Sequence, residues 1–121
     1  MIIKDAGKIG EFVAGDGTRI KELLSPKSDP VSTSYSLALA IIDPGKKSIP
    51  HKLQSSSEVY IIVNGSGVIH IDDEIRSVNV GNVIYIPKGS LQFMENSGME
   101  ELIFYCIVDP PWKEEDEVVI V

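Results

Sequence analysis

His51, Glu58, Tyr60 and Gln92 are the residues of this chain whose types and spacing could do chemistry. An imidazole oriented by a carboxylate has the pKa range needed to move protons near neutrality, which gives His51, Glu58 and Tyr60 a reading as acid–base groups. Gln92 adds a carboxamide that could hydrogen-bond Glu58. Glu58 opens the apolar run Val59–Val63, where an unpaired carboxylate is costly. A partner such as His51, Tyr60 or a metal is therefore implied.

Strand parity brings these groups to one surface. Side chains alternate between the faces of a strand, so His51 shares a face with Leu53, Glu58 with Tyr60 and Ile62, and Gln92 with Met94 and Asn96. Leu91 and Phe93 fall on the opposite, packed side. The resulting pocket is mostly apolar with few polar groups, the usual build of a small-molecule site. Gln54 points away from His51 by the same parity. His70 reads as a structural or surface histidine, Cys106 as a buried packing residue inside Leu102–Val108, and Trp112 as a plug for a barrel end or an interface anchor.

The elements that must position these groups read as β throughout. From Thr33 onward, apolar stretches rich in Val, Ile, Tyr and Phe alternate with Gly, Pro, Asn and Asp punctuation, the pattern of strands joined by turns. Strands are predicted near Thr33–Ile42, Ser48–Leu53, Glu58–Val63, Val68–Ile71, Ile75–Val80, Val83–Ile86, Leu91–Asn96 and Leu102–Val108. This number of short strands suits a jelly roll or barrel. Upstream, Glu11–Ala14 and Thr18–Leu24 flank Asp16-Gly17, a strong hairpin signal, and Asp72-Asp73 is a weaker one. Pro110-Pro111 ends the last core strand, because neither proline can donate to a ladder. Glu114 to Glu117 reads as a solvated acidic tail, and the β-prone Val118 to Val121 could dock back as an edge strand.

Two long motifs run through this core. The first places Gly45, then five residues, His51, one residue, Leu53, four residues, Glu58, six residues and Gly65. The second places Gly81, five residues, Pro87, one residue, Gly89, two residues, Gln92, three residues and Asn96. At every spacing these resemble the two motifs of the cupin family, over roughly Pro44 to Asn96. The resemblance implies an all-β cupin double-stranded β-helix, a jelly-roll barrel. It also implies a ligand set at the positions of His51, Leu53, Glu58 and Gln92, which in a typical metal-binding cupin would be His, His, Glu and His. Two of those histidines are replaced here, so the resemblance leaves His51, Glu58 and Gln92 as the metal-ligand set. A neutral amide oxygen is a weaker ligand than imidazole for the usual divalent ions, and Gln92 has an equal reading as a space-filling partner that hydrogen-bonds Glu58.

As a cupin, the chain is expected to bind a small molecule in its barrel, with a weakly held divalent metal (Fe, Mn, Ni or Zn). Its activity would be of the dioxygenase, isomerase or decarboxylase type. A metal-free His/Glu acid–base pair resembling the sugar epimerases of the wider family, or a non-catalytic ligand-binding or sensor barrel, are the alternatives. Small cupins often pair, and an N-terminal hairpin with outward Val59, Ile61 and Val63 would supply a homodimer surface.

Composition frames the rest. A chain of 121 residues has room for one core, so one cupin domain is expected over 1–121, with its core about 33–109, an N-terminal hairpin arm 1–32 and a C-terminal tail 110–121. The formal net charge of -7 leaves no basic stripe for a phosphate backbone, which argues against nucleic acid as a partner. No segment approaches the apolar length of a membrane span, and a cytoplasmic address is expected by default. Cys106 is the only cysteine, so no internal disulfide can form.

Overall fold

A computed structural model describes residues 1–120; Val121, the last residue of the predicted tail strand, lies outside the described residues. The described residues form eleven strands. They are β1 (Phe12–Val13), β2 (Arg19–Leu24), β3 (Ser36–Ile42), β4 (His51–Leu53), β5 (Ser57–Asn64), β6 (Ser66–Ile71), β7 (Glu74–Asn79), β8 (Val83–Ile86), β9 (Gln92–Glu95), β10 (Leu102–Asp109) and β11 (Glu117–Val119). Two three-residue 3₁₀ turns, Ala6–Lys8 and Glu114–Asp116, are the helical elements among the described residues.

The strands form two antiparallel sheets, ordered β1-β2-β3-β10-β5-β8 and β11-β4-β9-β6-β7. Alternation drives the packing between them. Along β5, Glu58, Tyr60 and Ile62 are buried, and along β10, Leu102, Phe104, Cys106 and Val108 are buried, with more exposed residues between. The register sets Phe104 opposite Ile62 and Cys106 opposite Tyr60. The second sheet contributes Ile69, Val78 and Met94 to the same core. Full burial of such a side chain is worth about 1.5–3 kcal/mol, so the inward positions are the ones that specify register.

The predicted arm and tail are both absorbed into the sheets. β1 and β2 form the hairpin turned by Asp16-Gly17, with Gly17 in the left-handed region at φ 86, and β2 then pairs with β3. β11 docks on β4, setting Glu117 opposite Leu53 and Val119 opposite His51. Asp72, at φ 50, turns the β6–β7 hairpin together with Asp73. Gly65 (φ 77) joins β5 to β6 where a Cβ would stand 2.6 Å from the Glu101 carbonyl oxygen, so no other residue fits there.

Some strands are shorter than expected. The strand predicted from Ser48 begins at His51, because Pro50 has no N–H to give a ladder. The first predicted core strand starts at Ser36 rather than Thr33.

Candidate functional site

A pocket opens between the sheets. His51, Leu53, Glu58, Tyr60, Gln92 and Met94 all line it, on the faces that strand parity assigns. Leu91 and Phe93 lie outside its lining. The cavity measures about 60 Å³, room for about four to six waters at roughly one probe sphere each. Phe12 and Trp112, with ring centroids 6.0 Å apart, line the same pocket.

The polar residues fall into two groups. The inner group is a hydrogen-bonded chain from β5 to β9: the Tyr60 hydroxyl donates to Gln92 Oε1 at 2.7 Å, and Gln92 Nε2 donates to Glu58 Oε1. All three are nearly inaccessible to solvent. Burial pushes the Glu58 carboxyl up to about 7, against the opposing pull of the Gln92 hydrogen bond and the His51 ring; Asp16 and Glu117 push it the same way as burial. Burial also lifts the Tyr60 hydroxyl, with Glu58 adding to the effect, and the Cys106 thiol. The inner group is thus neutral, proton-holding and linked.

The outer group gathers residues far apart in sequence. His51, 4% exposed, is paired across the sheet with Gln92 but turns its ring elsewhere. Its Nδ1 lies 2.8 Å from the Ile49 carbonyl, which can only accept, so Nδ1 carries a proton and donates it there. Its Nε2 lies 3.3 Å from Asp16 Oδ2. Asp16, 7% exposed, is held by the hairpin turn: its Oδ1 accepts from the Thr18 amide at 3.0 Å, and its own carbonyl accepts from the Ile49 amide at 2.7 Å.

Glu117 completes the group from β11. Its position opposite Leu53 puts its side chain on the pocket face. Ligand atoms of Asp16, His51 and Glu117 all lie within 4.8 Å of one another. Burial raises the Glu117 carboxyl above its ordinary range and Asp16 adds to the rise, while His51 and the Gly15 amide oppose it. Gly15 matters here for space, since a Cβ on it would meet Glu117 Oε2 at 2.8 Å.

Glu117 is a correction to the reading of Glu114–Glu117 as a solvated tail: the strand that follows pulls its last residue onto the barrel, and pairing parity turns that residue inward. Asp16 was expected only as a turn residue. Its turn is docked against the segment before β4, which a hairpin motif does not reveal. The other singled-out residues sit outside these groups. Gln54 is exposed. His70 stacks on Phe93 at 4.0 Å and bonds Glu95 at 2.7 Å on the far face of its sheet.

The comparisons agree with this architecture. The model of the cupin domain matches residues 38–108, and the chain belongs to the cupin family. It is 36% identical over 113 residues to an uncharacterized protein of Methanocaldococcus jannaschii, covering 93% of this chain and 90% of that one. It is 28% identical over 67 residues to an oxalate-binding protein of Thermotoga maritima, covering 55% of each. Among solved structures it is similar to the Streptomyces nucleoside dehydratase Pac13, with a TM-score of 0.77 and 16% identity over 99% of this chain and 91% of that one; that likeness speaks to the fold.

Members of the family often bind a metal, and the donor set decides whether this chain suits one at the position the motifs imply. Leu53 has no lone pair to give. Gln92 Oε1 already accepts from Tyr60, and Glu58 Oε1 from Gln92. An ion at that position does not fit the residues as they stand. No helix among the described residues is long and apolar enough to cross a membrane.

Proposed function

We propose that this cupin binds a small, neutral, hydroxyl-bearing molecule in its pocket and that Glu58 exchanges a proton with it, with Tyr60 and His51 as the flanking polar groups. The observation that carries this reading is the enclosed Glu58 carboxyl in a chain of hydrogen bonds on the pocket wall, with no lysine, arginine or histidine within ion-pair distance among the described residues. An acid that holds its proton up to about pH 7 can give or take one near neutrality, which is what general acid–base catalysis asks of a side chain. With the carboxyl groups of Asp16, Glu58 and Glu117 and no lysine or arginine among the lining residues, a neutral ligand is favoured over an anion. The cavity admits only the reacting end of a larger molecule.

The test is thermal stabilisation and calorimetric titration with ribose and uridine as neutral probes and oxalate as a dianion, followed by proton NMR in deuterium oxide. Binding of a neutral probe, with exchange of one of its carbon-bound protons, is expected in wild type. Both should be lost in Glu58→Gln, which keeps the shape and removes the proton. Stabilisation without exchange would make the barrel a binder and not a catalyst. Binding unchanged in Glu58→Gln would remove the inner group from the site.

The same reading includes a homodimer. Exposed apolar residues lie on the sheet edges, Val13 on β1 and Val83 and Tyr85 on β8, and unpaired edges of this kind invite a second strand. Light scattering at micromolar concentration should give twice the 13.2 kDa chain mass; a monomer mass would refute it.

A further inference from the structure

We propose that Asp16, His51 and Glu117 form a binding site for one first-row divalent cation, Mn²⁺ or Zn²⁺, displaced from the family's position toward the strands contributed by the two ends of the chain. Each side chain offers a ligand atom, and these atoms lie within 4.8 Å of one another. Nitrogen and oxygen ligands about 2.0–2.2 Å from an ion stand roughly 3–3.5 Å apart. The 3.3 Å between His51 Nε2 and Asp16 Oδ2 already has that value, and Glu117 needs only a side-chain adjustment to join.

Three features outside the ligand atoms support a cation here. His51 Nδ1 is committed to the Ile49 carbonyl, so Nε2 is the ring nitrogen left to face the carboxylates. Nε2 and the two carboxylates share one space only with something positive between them, which a metal ion supplies. A backbone carbonyl fixing the far nitrogen is also how metal-bound imidazoles are usually oriented. Asp16 is held in the same way by the Thr18 amide.

Among the described residues, no lysine or arginine lies within ion-pair distance of Asp16 or Glu117. The buried Asp16 and the half-buried Glu117 therefore have only His51 as a candidate counter-charge, and buried charges are stable when paired or bound to metal. A dication with two carboxylates and a neutral imidazole makes a site of zero net charge. One imidazole and two oxygen donors suit Mn²⁺ or Zn²⁺ better than a soft, thiolate-preferring ion.

This inference does not depend on the reading of the inner group, because the cation can be titrated with no organic ligand present. Chelator-stripped wild type should bind one equivalent of Mn²⁺ or Zn²⁺ by calorimetry and gain thermal stability. Asp16→Asn and Glu117→Gln, each folded by circular dichroism, should bind at least about tenfold more weakly, whereas Glu58→Gln should bind as wild type does. A crystal soaked in Mn²⁺ should show anomalous density between these three side chains.

The converse pattern, with affinity lost in Glu58→Gln and kept in Asp16→Asn, would place the ion at the inner group and overturn the proposal. No binding by wild type at millimolar cation would overturn it too.

Discussion

Glu58 and Glu117 are both carboxyl groups on the wall of one pocket, yet they meet the cost of burial in different company. Glu58 sits on β5 in the middle of a sheet, flanked by β10 and β8, and its hydrogen-bond partner is a neutral amide. Glu117 sits on the outermost strand of the other sheet, beside an imidazole and a second carboxylate. The first arrangement is stable when the acid keeps its proton; the second calls for a cation. A single barrel can in this way hold an acid–base group and an ion site side by side, because burial acts on both while the neighbours decide the outcome.

The largest effect that would sharpen this contrast is on stability against pH. In the folded chain Glu58 keeps its proton up to about pH 7, and unfolded it would lose it near 4.5. Between those values the folded state binds more protons, so stability is full below about pH 4.5 and falls as pH rises through 7. The loss amounts to about 3 kcal/mol. Urea unfolding in the presence of a chelator should therefore find Glu58→Gln more stable than wild type by up to that amount at pH 8 and equal to it at pH 4. Parallel pH profiles for the two proteins would break the contrast, since Glu58 would then be charged when folded.

A second effect moves the ion. In an Asp16→Asn background, Leu53→His with Gln92→His rebuilds the family's three-imidazole, one-carboxylate set around Glu58, and affinity for Ni²⁺ should rise above that for Mn²⁺ as nitrogen ligands dictate. A gain of at least about tenfold over the Asp16→Asn parent, near 1.4 kcal/mol, is expected by calorimetry. If the triple variant binds no better than its parent, positions 51, 53, 58 and 92 do not converge on one point.

The smallest effect is steric. Gly15→Ala brings a Cβ to 2.8 Å of Glu117 Oε2, which a flexible side chain escapes by rotating away. Unfolding free energy should change by less than about 1 kcal/mol, while Mn²⁺ affinity falls a few-fold. Unchanged affinity would show that Glu117 reaches the ion from another direction.

The inner group was legible in the sequence, because two motifs with fixed spacing carry Glu58 and Gln92, and period-two alternation puts Tyr60 on the face of Glu58. The Gln92–Glu58 hydrogen bond was one of two readings of that amide, but its acceptance from Tyr60 was not foreseen, since parity brings side chains together without orienting an amide. The outer group was hidden for a different reason. Asp16, His51 and Glu117 belong to segments whose pairing depends on how the ends of the chain dock, and nothing local records the register of β11 on β4. One signal was present: Glu117 precedes the β-prone Val118–Val119, as Glu58 precedes Val59–Val63. The argument that a carboxylate entering an apolar strand needs a partner applied equally to both.

The docking of β11 has a dynamic consequence. It is held to β4 by three residue pairs and among the described residues has no strand on its other side, whereas β5 pairs with β10 from Ser57 to Asn64 and with β8 over Glu58–Ile61. Local opening free energies follow such differences in support. The backbone amides of β11 should exchange with deuterium orders of magnitude sooner than those of β5, through a fraying motion that carries Glu117 out of the pocket while the central sheet stays closed. The pocket would then admit and release its contents on the timescale of a single short strand peeling from its edge, and anything that ties Glu117 down would slow that exchange.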